Sequence, residues 1–101
     1  MGGEGRLTVE VRPAGWKGAG PYARAVRVEG RWQVVYIRPG IEKWRERLLR
    51  AFFSDEPAPP ELAPFSALLS LPRGTAEEVL AANRLLLPLN MEVVVLEEGE
   101  A

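Results

Sequence analysis

Residues 22–53 read YARAVRVEGRWQVVYIRPGIEKWRERLLRAFF, and a change of period inside this stretch decides the fold class. Its first half carries two β-rich runs, Tyr22–Val28 and Arg31–Arg38, separated by Glu29-Gly30. Two residues ending in glycine are enough to reverse an extended chain, so the runs predict a β-hairpin. A two-residue turn fixes the register. Tyr22, Arg24, Val26, Val28, Arg31, Gln33, Val35 and Ile37 then share one face, and Ala23, Ala25, Arg27, Trp32, Val34, Tyr36 and Arg38 the other. Neither face is cleanly polar, which predicts cover on both sides and, with it, a second subunit.

After Pro39-Gly40 the period moves from two to about 3.6. Ile41, Trp44, Leu48, Leu49, Phe52 and Phe53 fall on one stripe, with Glu42, Lys43, Glu46, Arg47 and Arg50 largely opposite. Residues 41–53 therefore read as an amphipathic helix, expected to be the main lid on the sheet, with Glu46 and Arg50 in the favourable i,i+4 order.

Upstream, Arg6–Arg12 alternates strictly, Leu7, Val9 and Val11 against Arg6, Thr8, Glu10 and Arg12, and predicts a half-buried strand. Pro13–Pro21 is a Gly-rich connector carrying Trp16. Downstream, residues 54–64 form an acidic, proline-dense internal loop too stiff to continue a helix. A short helix follows near 65–71. Thr75-Ala-Glu-Glu78 then matches a capping box and starts a helix running to about 87, expected to bury Val79, Leu80, Leu86 and Leu87. Met91–Leu96 is apolar throughout and reads as an interior strand. The order β-β-β-α-α-α-β implies an α+β two-layer sandwich: a mainly antiparallel four-stranded sheet with helices chiefly on one face. Residues 1–101 are expected to form one domain, with flexible ends at 1–5 and 97–101.

Composition narrows the chemistry. The 101 residues include no His and no Cys, which removes the commonest acid–base group, the commonest transition-metal ligand and the strongest nucleophile. Ser54, Ser66 and Ser70 have no nucleophile elbow around them. Asp55-Glu56 and Glu77-Glu78 are acid pairs, but acids in a loop or a first helical turn ordinarily serve solvation, capping and the helix dipole. The expectation is a non-catalytic protein without metal or cofactor. Gly15–Gly20 lacks the Gly-Lys-Ser/Thr ending of a phosphate loop and precedes a strand, so a small-ligand or enzyme pocket there is the weaker alternative.

No apolar run spans a bilayer, the first residues lack the basic-then-apolar order of a signal peptide, and the absence of cysteine suits a reducing cytoplasm. Few Asn, Gln or Cys residues and nine prolines suggest a thermophilic source.

Charge is sorted along the chain. Residues 1–50 hold 11 Lys/Arg and 5 Asp/Glu, a net of +6, whereas residues 51–101 hold 2 and 9, a net of −7. Two uses of the basic half follow. Trp16, Arg24, Arg27, Arg31, Trp32, Tyr36 and Arg38 form the expected contact surface, either for a protein partner or homodimer, or for single-stranded nucleic acid stacked on a basic, aromatic sheet face. The sequence pI of about 5.5 disfavours the second. Pairing of the basic residues with the acidic half, within the fold or between subunits, would exclude it.

Overall fold

Hairpin, helix and closing strand are all present in the computed structural model, which describes residues 5–100. Strand β1 spans Gly5–Pro13, β2 Ala23–Val28, β3 Arg31–Ile37 and β4 Met91–Glu100. They form one antiparallel sheet in the order β3-β2-β1-β4. Val28 pairs with Arg31 across the expected turn, where Glu29 (φ 53°) and Gly30 (φ 77°) both take positive φ, as the twist of a two-residue hairpin demands.

Helix α1 (Lys43–Phe52) crosses the sheet and buries Leu48, Leu49 and Phe52 completely. Beyond a 3₁₀ segment at Pro60–Phe65 come α2 (Ser66–Leu69), α3 (Ala76–Ala81) and α4 (Asn83–Leu86), then a 3₁₀ turn at Leu87–Leu89. The proline-dense segment is thus partly helical rather than a loop to residue 64. The capping box forms as read: Thr75 Oγ1 accepts from the Glu78 amide at 3.2 Å, and Glu78 Oε1 accepts from the Thr75 amide at 3.1 Å.

All helices lie on one side of the sheet. Between the layers sit Leu7, Val9 and Val11 of β1, Ala23 and Ala25 of β2, and Met91 and Val93 of β4, together with the α1 residues and Val79, Ala82 and Leu86. Each such large apolar side chain contributes roughly 1.5–3 kcal/mol on burial. Within this core Phe52 and Phe53 meet edge to face at 4.9 Å.

Four expectations need correction. β4 lies at the sheet edge, not inside it; its apolar run is explained by Met91, Val93 and Val95 facing the core, while the side chain of Asn83 stands where a further strand would pair. β4 also continues past Leu96: a one-residue bulge there lets Glu97–Glu100 pair with Gly5–Thr8, so Gly5 and residues 97–100 are strand rather than loose ends. Met1–Glu4 and Ala101 lie outside the described residues. The helix after Thr75 breaks at Ala82, and Val79, Ala82 and Leu86 form its buried stripe, which leaves Leu80 and Leu87 outward, 41% and 50% exposed. Finally, Trp44 is exposed and stacked on Phe65, whereas Arg45 takes the buried place on the helix.

Candidate functional site: the open face of the sheet

The side of the sheet away from the helices has no protein layer over it among the described residues, and its side chains follow from the strand register. Three rows cross it from β3 to β4. Arg31, Val28, Arg6 and Gly99 make the first; Gln33, Val26, Thr8 and Glu97 the second; Tyr36, Arg24, Glu10 and Val94 the third. Arg12 beside Glu92 extends the pattern on β1 and β4 alone.

A bulge decides who belongs here. The pairing steps from Arg24↔Tyr36 to Ala25↔Val34, which leaves Val35 unmatched and reverses the alternation beyond it. Tyr36 therefore joins Arg24 and Arg31 on the open face, and Ile37 turns toward the core, opposite to the uniform register read from the sequence.

At the centre sits a carboxylate that is 5% exposed. Glu10 Oε2 accepts from Arg24 Nη2 at 2.6 Å and Nε at 3.0 Å, and its Oε1 accepts from Arg12 Nε at 2.8 Å. Burial raises the Glu10 pKa, but the hydrogen bonds and charges of Arg24 and Arg12 outweigh it and hold the carboxyl below its ordinary value. The Arg12 guanidinium carries the Trp16 ring 4.3 Å above it, and Trp16 Nε1 donates to the Ala19 carbonyl. Trp16 thus closes on Arg12 at the end of the open face. It is 40% exposed, and its contacts are with Arg12 and its own connector rather than with the core.

Neither a family model, a curated protein nor a solved structure matches this chain.

The seven residues singled out from the sequence separate into three groups. Arg24, Arg31 and Tyr36 share the open face, with Trp16 on its border. Arg27 and Trp32 lie on the helical side: Trp32 Nε1 donates to the Arg73 carbonyl at 3.0 Å and its ring meets Phe53 at 5.0 Å, while the Arg27 guanidinium reaches toward Gly74. Arg38 is tied to the connector, donating to the Pro21 carbonyl at 3.2 Å and to that of Gly20, with its guanidinium over Tyr22. A single interleaved face of Arg27, Trp32, Tyr36 and Arg38 does not exist, since bulge and burial divide it.

Sequence reading missed Glu10 and Arg45. Arg45 is 6% exposed, lies over the Tyr22 and Trp44 rings at 4.5 Å each, and donates to Glu42 and to the Leu89 carbonyl at 2.9 Å. Glu42, receiving that hydrogen bond, is pulled below the usual carboxylate range. The only signal was position: Glu10 shares the polar side of its strand with Arg6 and Arg12, and Arg45 interrupts an apolar stripe.

Two clefts flank the outer edge of β3. One of about 670 Å³ has Trp32, Val34 and Phe53 in its wall and Arg31, Arg50, Asp55 and Glu56 at its mouth. A smaller one, about 250 Å³, lies between Arg27 and Arg73. Burial lowers the Arg73 pKa and the charge of Asp55 opposes that shift. Asp55 Oδ2 accepts from the Trp32 amide at 3.2 Å, so this acid covers a strand edge. No group of three or more acidic side chains suited to a metal occurs among the described residues, and no helix is long and apolar enough to cross a membrane. The Gly15–Gly20 loop lines neither cleft.

Proposed function

We propose that this is a non-catalytic domain acting through protein–protein contact or self-association, with the open sheet face as its contact surface. One observation carries the reading: the face is balanced rather than basic. Arg6, Arg12, Arg24 and Arg31 stand with Glu10, Glu92 and Glu97, around apolar Val26, Val28 and Val94 and the half-exposed Tyr36. Three of the four arginines already hold glutamates: Arg12 and Arg24 on Glu10, and Arg6 at 4.0 Å from Glu97. A polyanion gains little from such a surface, because binding it depends on unneutralised cations releasing counterions. A protein surface with an apolar centre and mixed charge gains more. The absence of cysteine supports placing this contact in the reducing cytoplasm.

A second reading, single-stranded nucleic acid on the same face, is favoured by Tyr36 standing beside Arg24 and Arg31 with Trp16 at the border. Retention of labelled single-stranded RNA and DNA at two salt concentrations separates the two. The contact reading expects no salt-sensitive micromolar binding. Such binding, weakened at least tenfold by Arg24→Ala with Tyr36→Ala, would overturn it.

A further inference from the structure

Resting on the reading of the open face as a protein contact, we infer that its partner is a second copy of this chain, docked sheet to sheet about a two-fold axis that runs parallel to the strands between β1 and β2. The argument is electrostatic. Across the face, charge is graded: β3 and β2 contribute Arg31 and Arg24, whereas β4 contributes Glu92 and Glu97.

Two face-to-face two-folds are available to such a sheet. An axis across the strands lays every strand on its own copy with the rows reversed, so about the middle row Glu97 meets Glu97 of the partner subunit and Arg24 comes to lie beside the partner's Arg31; like charges brought together in this way disfavour the complex. An axis along the strands lays β3 on the partner's β4 and β2 on the partner's β1, with the rows kept level. Gln33 then stands over Glu97 of the partner subunit, and Arg31, one row away, reaches that same carboxylate. Tyr36 stands over the partner's Val94, and Val26 over the partner's Thr8. The contact is isologous, so each pairing occurs twice.

The native chain has no cysteine, so single thiols can be placed without background. Gln33→Cys and Glu97→Cys alter exposed positions and leave the core alone. Facing sheets lie about 10 Å apart, a gap that a short bis-maleimide bridges. The expected results are a dimer in sedimentation equilibrium at micromolar concentration, a cross-linked dimer when the two variants are mixed, and little cross-linking of Gln33→Cys alone. Three strand spacings separate the two copies of that residue under the proposed axis.

A dimer in which Gln33→Cys cross-links to itself overturns the axis while leaving the contact reading intact. A monomer throughout overturns self-association and leaves a different protein as the partner. Salt-sensitive RNA or DNA binding by the native chain overturns the contact reading itself.

Discussion

Asn83 makes both of its side-chain hydrogen bonds to one residue, Val93: Nδ2 donates to the Val93 carbonyl at 3.1 Å and Oδ1 accepts from the Val93 amide at 2.7 Å. The amide group thereby imitates a neighbouring strand near the start of the β4 edge, where unpaired backbone groups otherwise invite another chain. Replacing it by Asn83→Ala leaves a donor and an acceptor of a half-buried strand without partners. The expected loss is about 1–3 kcal/mol in urea unfolding, with faster aggregation on heating; a variant as stable and as soluble as the parent would remove this role.

Glu10 gives the fold an acid limit. Its folded pKa lies below its unfolded value near 4.5, so its contribution is fully present above that value and is lost as pH falls through the folded one. Thermal melts from pH 7 downward should show the parent losing stability below about pH 4.5 more steeply than Glu10→Gln. At pH 7 the variant should be less stable by about 1–2 kcal/mol, a figure reduced from that of a fully buried pair because Arg24 is half exposed.

The β2–β3 turn can be improved. Glu29 holds φ at 53°, a conformation that costs a non-glycine residue roughly 1 kcal/mol and that asparagine tolerates better. Glu29→Asn creates the preferred Asn-Gly pair and should raise stability by a few tenths to about 1 kcal/mol, or up to roughly 4–8 °C in Tm. An unchanged or lowered Tm would contradict the turn geometry.

Arg45 is a structural cation. Arg45→Ala strips the Leu89 carbonyl of its donor and the Tyr22 and Trp44 rings of their shared guanidinium, and an expected cost of about 2–3 kcal/mol follows from the lost charged hydrogen bond and packing. Arg45→Lys should recover only part of it, since an ammonium cannot span Glu42 and Leu89 with a planar fork.

What could be read from the residues was local in origin. Strict alternation at Arg6–Arg12, the Glu29-Gly30 reversal, the stripe at Leu48, Leu49 and Phe52, and the Thr75 box each report a preference carried by near neighbours in sequence. The features that define the open face are not of that kind. Val34-Val35 offers two equivalent apolar residues, and nothing in the string says which one is extruded; that depends on how β3 meets the twist of β2. The place of β4 at the edge depends on β1 lying between it and β2, which an apolar run cannot encode. Glu10 and Arg45 look like ordinary surface charges until the fold brings Arg24 of β2 beside the one and the Leu89 turn beside the other.

The strand order also bears on how the chain is made. β1 occupies the middle of the sheet, yet one of its two neighbours, β4, is separated from it by 77 intervening residues, 14 to 90. A ribosome releasing the chain from its N-terminus delivers β1, β2 and β3 early, with the β4 side of β1 bare until the last strand emerges. During that interval Leu7, Val9 and Val11 lack part of their cover, and any factor that shields a nascent sheet edge would act on this side of β1 rather than on the β3 side.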